Sequence, residues 1–358
     1  MKGRLALFIE KLREKDIESA LITSWQNVFY LSGFTGFGDA FLFISENAQI
    51  ILTDPRYLVQ AKEECEGFEV RNIAISDYKK IAELLQEKNV KTVGFEDLSI
   101  PYLTFKKITE LASFCEFKGI GSVIENLRLI KGEEELKVLR KACDIAVETF
   151  NEVLGCIKVG VTENDIAAEI EYRLKKKGAS KTSFDTIVAS GYRGALPHGT
   201  ASNKKLQLGD AITLDFGAFY NGYCSDITRT IFLGEPDDKM KEIYHVVLNA
   251  NIAAIESFKL GMTGKDLDSI ARQYIIDKGY ENEFSHGLGH GVGVQVHEDP
   301  RINRFGNKEL TKGMIFSIEP GIYVEGLGGV RIEDLVTIVD DKLEVLTSKA
   351  PKELIVIE

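Results

Sequence analysis

Four carboxylates and one imidazole in the C-terminal half of the chain are candidate metal ligands. In order they are Asp215, Asp226, His290, Glu319 and Glu333, and each lies in a short, glycine-punctuated segment. Carboxylates that converge inside a folded protein repel one another and lose their hydration, so their convergence requires cations. If these side chains meet, the sequence predicts a site for two divalent metals and hydrolytic chemistry.

The two aspartates are predicted to share one face of a β-hairpin. Residues 211–220 and 223–232 have strand character, and the Asn-Gly pair between them strongly favours a two-residue turn. That turn places Thr228 opposite Asp215, with Asp226 on the same face two positions out of step. Diagonal neighbours of this kind lie about 7–8 Å apart, a span that one or two cations can bridge.

The same half of the chain contains an internal duplication. The segment around Asp215 aligns with that around Glu319, and the segment around Asp226 aligns with that around Glu333. Further matches pair 159–162 with 260–263, and Pro197-His198 with Val296-His297. A unit of about 100 residues is too long for a solenoid repeat and predicts two half-domains related by a pseudo-two-fold axis. Such an axis would bring both carboxylate pairs to one centre.

Three of the five histidines lie close together, at His286, His290 and His297. Four glycines between positions 287 and 293 disfavour a helix, so the first two do not form the helical zinc motif despite their spacing. We predict a loop and a strand here. The alternative is a glycine-rich turn with solvated histidines, which the nearby candidate carboxylates disfavour.

Six segments of the chain resemble the motifs of the pita-bread metallopeptidases, a family that includes methionine aminopeptidase, aminopeptidase P and prolidase. They are SFDTIVASG, LPHGT, LDFGAFYNGYCSDITRT, SHGLGHGVGVQVHEDP, FSIEPGIY and GGVRIED. This match runs from about Ile124 to the C-terminus. Upstream, TSWQNVFYLSGFTG and TDPRY resemble the additional domain of the aminopeptidase P and prolidase branch.

The resemblance implies an α+β protein with two domains. Residues 1–122 would form a mixed α/β domain, and residues 123–358 a pita-bread catalytic domain with the internal repeat. Hydrophobic periodicity predicts helices at 1–20, 79–89, 133–157 and 238–258, and strands at 40–46, 48–53 and 91–97.

The resemblance also implies roles for the five candidate ligands. Asp215 would bind one metal, His290 and Glu319 the other, and Asp226 and Glu333 would bridge the two. Oxygen ligands with a single imidazole suit manganese, cobalt, zinc or iron. A hydroxide held between the two cations would then attack the scissile carbonyl.

Further residues correspond to substrate-contacting positions of the family. His198 and His297 would hold the peptide and stabilise the tetrahedral intermediate by hydrogen bonds. Glu319 would relay a proton to the leaving nitrogen, and His286 would border the proline pocket. Arg331 would orient the carboxylate two residues further along or contact the substrate; a purely structural role is the alternative.

The resemblance favours cleavage of the Xaa-Pro bond in dipeptides, because the N-terminal domain is present and the chain is short for this branch. A dipeptidase must bind the free carboxylate of its substrate, and Arg301 is the candidate partner, with a solvated loop arginine as the alternative. Xaa-Pro aminopeptidase activity on longer peptides is the second hypothesis.

Composition narrows the possible partners. The net charge of −11 and pI near 5.2 argue against nucleic-acid binding. No apolar stretch is long enough to cross a membrane, and the charged N-terminal helix is unlike a signal peptide, so we expect a cytoplasmic protein. The five cysteines include no CxxC pair and suit a reducing compartment. Among them Cys224 is expected in the core, although its strand parity matches that of Asp226.

Two other functional classes share this fold. Creatinase-like enzymes hydrolyse C–N bonds without metal, and some pita-bread domains serve as binding modules, but both typically lack the ligands that this chain retains. The resemblance further implies a homodimer in which segments such as 34–37 or 54–57 approach the partner's active site.

Overall fold

The computed structural model describes residues 2–358, with side chains from Gly3 onward, so Met1 of the predicted N-terminal helix lies outside the described residues. Contacts divide the chain into two compact units, with the division after Arg128. The sequence predicts this boundary six residues earlier, between residues 122 and 123. Within the described residues, no helix is both long and apolar enough to cross a membrane.

The first unit is built around a six-stranded mixed sheet. Its strands are β1 (Ser19–Ile22), β2 (Ala40–Ser45), β3 (Gln49–Thr53), β4 (Glu69–Asn72), β5 (Thr92–Phe95) and β6 (Glu116–Gly119), in the order β4-β3-β2-β1-β5-β6. The helices are α1 (Lys2–Arg13), α2 (Trp25–Ser32), α3 (Leu58–Glu64), α4 (Tyr78–Glu87), α5 (Tyr102–Leu111) and α6 (Val123–Leu129). Strand β2 is buried almost throughout, as expected of an apolar strand covered on both faces.

The predicted helix over residues 1–20 is too long. Helix α1 ends at Arg13, and the chain turns through Asp16 at φ 54° before β1 begins at Ser19. A left-handed residue after the last helical turn is a common helix terminus. The apolar residues that extend the predicted periodicity therefore belong to a buried strand.

The second unit repeats one arrangement of two helices and a small antiparallel sheet. Its helices are α7 (Glu133–Val153), α8 (Glu163–Lys176), α9 (Asp238–Ser257) and α10 (Gly264–Asp277). The first-half strands are β7 (Lys181–Thr182), β8 (Ile187–Ser190), β9 (Ala211–Phe216), β10 (Ala218–Tyr220), β11 (Tyr223–Cys224) and β12 (Ile227–Leu233). The second-half strands are β13 (Gly289–Gly291), β14 (Glu298–Ile302), β15 (Ile315–Ile318), β16 (Gly321–Val324), β17 (Gly328–Arg331), β18 (Asp334–Val339), β19 (Lys342–Val345) and β20 (Val356–Ile357).

Matching helix starts show the duplication in the backbone. Thr162 caps the N-terminus of α8 and Thr263 caps that of α10, and each hydroxyl accepts a hydrogen bond from the N–H of the aspartate three residues later. Two residues before each threonine is a glycine with positive φ, 87° at Gly160 and 91° at Gly261. Local sequence therefore fixes the same helix entry twice.

Each half has its own core between its helix pair and its sheet. In the first half, α7 and α8 pack on the sheet β20-β12-β9-β8, and Phe150 of α7 is completely buried in this core, at 0% exposure. The helix ends at Val153 and continues as a short 3₁₀ turn, earlier than predicted. In the second half, α9 and α10 cover the sheet β14-β13-β15-β18-β19.

The predicted register of the first-half hairpin is confirmed. Asn221 and Gly222 both have positive φ, as the two-residue turn requires, and Thr228 pairs with Asp215. Each long strand predicted for the hairpin is nevertheless broken into two. At Gly217 a Cβ atom would lie 1.8 Å from the carbonyl oxygen of Ser225, so the chains approach too closely for a regular ladder. This break leaves Asp226 outside the ladder, facing the cavity described next.

Candidate metal centre

A cavity of about 460 Å³ in the second unit is lined by all five candidate ligands. It is also lined by His198, His286, His297, Tyr323 and Arg331. Apolar side chains form part of the wall, among them Phe184, Ile187, Pro197 and Val296. A cavity that combines apolar wall with many convergent ionisable side chains is a candidate functional site.

The ligand candidates come from strand ends in both halves. Asp215 lies on β9 and Asp226 just before β12, both in the first half. His290 lies on β13, Glu319 follows β15, and Glu333 lies between β17 and β18 in the second half. The duplication therefore brings two carboxylate pairs to one place, as predicted from the repeat.

The ligand atoms lie at distances that a cation could bridge. One atom from each of Asp226, His290 and Glu333 lies within 4.8 Å of the other two. The Nε2 atom of His290 is 3.3 Å from Glu319 Oε1 and 3.8 Å from Asp226 Oδ2. Metal-to-ligand bonds of about 2.0–2.2 Å fit between atoms with these separations.

The hydrogen bonds of His290 leave one ring nitrogen available to a metal. Its Nδ1 lies 3.2 Å from the carbonyl oxygen of Gly291, which only accepts hydrogen bonds, so Nδ1 carries the proton. Burial lowers the pKa of His290, which keeps the ring neutral. The Nε2 lone pair therefore points toward the carboxylates, the arrangement in which metal-binding histidines are usually held.

Three buried carboxylate oxygens lack a hydrogen-bond partner among the described residues: Asp215 Oδ1, Asp226 Oδ1 and Glu333 Oε1. A buried polar atom without a partner is costly, and natural proteins rarely leave several together. All three belong to candidate ligands, and bound cations would satisfy all three. The donor set therefore fits divalent metal.

The electrostatics support the same conclusion. The pKa values of Asp226 and Glu333 are raised well above their usual range, first because both groups are buried and then because neighbouring carboxylates repel their charge. Burial likewise raises the pKa of Glu319. In the absence of metal, protons partly neutralise this cluster, and cations would replace them.

Arg331 contacts the candidate ligand Asp215 directly and is linked to Glu333 only through the hydroxyl of Thr228. Its guanidinium donates to Asp215 Oδ2 at 2.5 Å and to the hydroxyl of Thr228 at 3.2 Å. Thr228 in turn donates to Glu333 Oε2 at 2.7 Å. The expected link between Arg331 and the carboxylate two residues further along therefore runs through a threonine. Arg331 fixes one oxygen on each of two candidate ligands.

His286 has both ring nitrogens engaged by protein atoms. Nδ1 lies 2.7 Å from the carbonyl oxygen of Gly287, and Nε2 lies 2.9 Å from the hydroxyl of Tyr323. Arg331 donates to that same hydroxyl at 2.8 Å, so the hydroxyl proton of Tyr323 is directed to Nε2. His286 lines the cavity, as predicted for a proline-pocket residue, but presents only the carbon surface of its ring.

His198 and His297 are exposed at the cavity, and neither ring hydrogen-bonds to another described residue. His297 lies beside His290, with 4.2 Å between ring centroids. Although solvent reaches its ring, crowding by the cavity wall partly desolvates His297, and this desolvation together with the nearby imidazoles of His290 and His198 lowers its pKa to about 4. At neutral pH its ring is therefore uncharged and can donate one hydrogen bond to a ligand.

Arg301 is the one candidate site residue that does not line the cavity. It lies on β14, paired in register with His290, and its side chain is exposed. Cys224 and the remaining histidine of the chain, His245, also lie outside the lining. Burial raises the pKa of Cys224 to about 12, and its thiol donates to the carbonyl oxygen of Val294 at 3.8 Å. His245 is exposed on α9.

Three supporting residues were missed by the sequence analysis as site residues. Ser317 donates to Glu319 at 3.2 Å, and Thr228 and Tyr323 make the contacts described above. The first two could have been found, because Thr228 was predicted opposite Asp215 and Ser317 shares the strand parity of Glu319. Tyr323 stands in the EPGIY motif, but its spacing gives no indication of a contact with His286.

Comparison with known proteins supports this description. The Creatinase/Prolidase N-terminal domain matches residues 4–130, and Metallopeptidase family M24 matches residues 137–340. A protein named Xaa-Pro dipeptidase from Pyrococcus horikoshii is 42% identical over 357 residues, covering 99% of each chain.

Two solved structures show the same similarity over the full chain. The Xaa-Pro dipeptidase from Bacillus anthracis has a TM-score of 0.95 at 40% identity, covering 99% of each chain. The X-Pro aminopeptidase from Thermotoga maritima MSB8 has a TM-score of 0.93 at 40% identity, also covering 99% of each chain. These matches confirm the predicted two-domain fold, and the family implies divalent metal cofactors. The chain therefore belongs to metallopeptidase family M24 and is a hydrolase.

Proposed function

We propose that this protein is a two-metal peptidase that hydrolyses the Xaa-Pro bond, preferentially in dipeptides. The observation that carries the proposal is the convergence of five ligand side chains with three unpaired, buried carboxylate oxygens. Specificity for proline is supported by the relatives named Xaa-Pro dipeptidase and by the presence of the N-terminal domain that matches residues 4–130.

Each ligand has a distinct place in the proposed site. Asp215 would hold one cation and His290 with Glu319 the other, while Asp226 and Glu333 would contact both. The absence of a thiolate ligand is compatible with manganese, cobalt, zinc or iron. When bound, such cations supply a water of lowered pKa and polarise the scissile carbonyl.

The surrounding side chains bind the peptide and move the proton. His198 and His297 have free ring nitrogens and would donate hydrogen bonds to the substrate carbonyl as negative charge develops there. Glu319 would lie beside the proposed cations and would relay a proton from the attacking water to the leaving imino nitrogen. The apolar edge of His286 would line the proline ring.

Replacing His297 with asparagine tests the proposed role of that imidazole. We expect kcat/KM for Ala-Pro to fall on the order of 10²–10³-fold, because one preorganised donor to the developing oxyanion is lost or displaced. Metal affinity should stay unchanged. The matched control is His245→Asn, which removes an exposed histidine of α9. Equal activity of the two variants would refute the assignment.

One assay would distinguish dipeptidase activity from aminopeptidase activity. The alternative, cleavage of longer Xaa-Pro peptides, is favoured by the similarity to the X-Pro aminopeptidase at 40% identity. We would strip metal with a chelator, add manganese, cobalt or zinc separately, and measure hydrolysis of Met-Pro, Ala-Pro and Met-Pro-Gly. Metal-restored cleavage of the dipeptides alone is expected. Efficient tripeptide cleavage would establish the alternative, and inactivity with every metal would favour a creatinase-like enzyme or a binding module.

We also propose a homodimer, on family resemblance. Sedimentation should give a mass close to twice the 39.9 kDa of one chain. A mass of a single chain at micromolar concentration would contradict it.

A further inference from the structure

We propose that Glu163 is a positioning residue that holds His198 at the cavity. The role of His198 in this inference rests on the proposed function. The claim that Glu163 holds the segment around His198 in place does not depend on that function. His198 lies in the segment between β8 and β9, which includes a 3₁₀ turn at Gly191–Ala195. That segment needs an anchor, because Leu196 beside the histidine is itself exposed.

Both ends of the His198 segment are attached to one carboxylate. Glu163, the first residue of α8, is completely buried. Its Oε1 accepts hydrogen bonds from Ser190 N at 2.8 Å and from Ser190 Oγ at 2.7 Å. Its Oε2 accepts from Ser202 N at 3.1 Å and from Ser202 Oγ at 2.6 Å. The segment 190–202 is therefore closed into a loop by Glu163.

An arginine inside the loop completes this anchor. Arg193 forms an ion pair with Glu163 and donates through its other terminal nitrogen to the carbonyl oxygen of Thr200 at 2.8 Å. A buried carboxylate is tolerated only when it is paired and hydrogen-bonded, and here five donors meet that need. Arg331, which lies outside the loop, donates to the carbonyl oxygen of Pro197 at 3.2 Å and so holds the backbone next to His198, which lines the cavity.

The carboxylate of Glu163 is not needed to begin its own helix. Thr162 already caps α8 by accepting a hydrogen bond from the N–H of Asp165, and Asp165 completes the capping box. An acidic residue in the first helical turn gains a modest amount from the helix dipole without burial. The full burial of Glu163 and its bonds to both ends of a distant loop are therefore better explained by positioning of that loop.

The second half anchors its active-site loop with a different residue of the matching helix. Asp268 on α10 is buried, accepts from the N–H of Leu288 at 3.0 Å and pairs with Arg272. Arg272 in turn donates to the carbonyl oxygen of His286 at 2.7 Å. The position that matches Glu163 is Gly264, where a Cβ would lie 2.0 Å from the carbonyl oxygen of Arg301. A carboxylate–arginine pair therefore holds a histidine loop in each half.

Glu163→Gln tests the proposal in the full-length, manganese-loaded enzyme. The amide keeps the shape but replaces one acceptor oxygen with a donor, which leaves buried donors of the loop unpaired. We expect kcat/KM for Ala-Pro to fall about tenfold to a hundredfold, the effect of losing buried hydrogen bonds. Manganese affinity should not change, because the five ligands lie on other segments. Glu169→Gln is the matched control, since Glu169 is on the same helix and pairs with Arg173 at the surface.

A double-mutant cycle separates positioning from general damage. In the His198→Ala background, Glu163→Gln should cause little further loss if Glu163 acts through that histidine. Equal losses in both backgrounds would overturn the proposal. If Glu163→Gln does not fold, Ser202→Ala removes a single hydroxyl donor from the same carboxylate and serves in the same cycle with the same two outcomes.

Amide hydrogen exchange keeps this test independent of the proposed function. Glu163→Gln should raise exchange across residues 191–201, whereas Glu169→Gln should leave it unchanged. Unchanged exchange in both variants would overturn the anchoring role. If the wild-type enzyme cleaves no Xaa-Pro peptide with any metal, the proposed function fails, and the exchange result still decides whether Glu163 holds the loop.

Discussion

Replacing Asp226 with asparagine is expected to abolish metal-dependent hydrolysis while making the metal-free protein more stable. Activity should fall on the order of 10³-fold or more, because a ligand proposed to contact both cations is lost. The free energy of unfolding in chelator should rise by about 1–2 kcal/mol, because one buried, repelled charge is removed. Thermal unfolding with and without manganese, together with manganese titration, measures both effects.

The raised pKa of Asp226 determines whether the stability difference between the variant and the wild type grows or shrinks with pH. A raised carboxyl pKa means that, above the ordinary value of 3.8, the folded chain holds more protons at Asp226 than the unfolded chain does. Folding stability supplied by the protonated group is therefore lost as the pH rises toward the raised pKa. The stability advantage of the asparagine variant should be small near the ordinary pKa of 3.8 and grow as the pH rises above it.

The histidines of the site contribute to the pH dependence of stability in both the variant and the wild type. The lowered pKa values of His290 and His297 make stability rise with pH below the usual value of 6.5, but both proteins carry these histidines. The difference between the variant and the wild type therefore reports the carboxyl group of Asp226 together with its repulsion by the neighbouring carboxylates Glu333, Asp215 and Glu319. An advantage for the variant that shrinks as the pH rises would contradict the buried-charge explanation.

Arg331→Met is expected to have the largest effect on the metal-free fold. Its guanidinium is 5% exposed and pairs with Asp215, so the substitution leaves a carboxylate buried without its cation. Breaking a buried pair in this way costs about 3–5 kcal/mol. Manganese should restore part of the loss, because bound cations then neutralise the same oxygens. Chemical unfolding in chelator and in manganese measures the two values.

Tyr323→Phe provides the matched control for this arginine. It removes the hydroxyl that joins Arg331 to His286 but leaves the bond from Arg331 to Asp215. We expect a loss of about 1 kcal/mol, that of an ordinary hydrogen bond, with little dependence on metal. A metal-independent loss of the same size in both variants would show that pairing with Asp215 is not what makes Arg331 important.

Short-range signals predicted much of this architecture. The Asn-Gly turn fixed the hairpin register and hence the pairing of Asp215 with Thr228. The duplication predicted that ligands from both halves would meet, because matching segments fold alike. Helix α4 was predicted to within two residues at each end, since its apolar positions follow the helical period.

The errors arose where tertiary contacts override local pattern. The apolar periodicity alone predicted a first helix that extends into the buried strand β1. Over a few positions the same apolar residues fit both the helical period and the strand period. The periodicity also missed the break at Gly217, which depends on how closely Ser225 approaches. The hydrogen bonds that engage both nitrogens of His286, and those that link Arg331 to Asp215, join residues distant in sequence. No spacing rule contains that information.

The duplication also explains why a single polypeptide carries both halves. Neither half holds all five candidate ligands: the first contributes two carboxylates, and the second contributes two carboxylates and the imidazole of His290. As separate chains, the halves would assemble the site only in a concentration-dependent encounter. Covalent linkage makes that encounter intramolecular, with an effective concentration in the millimolar range or above. Covalent linkage also allows the two copies to diverge in sequence. When the halves are aligned so that His198 matches His297, the position in the first half that corresponds to His290 is Gly191.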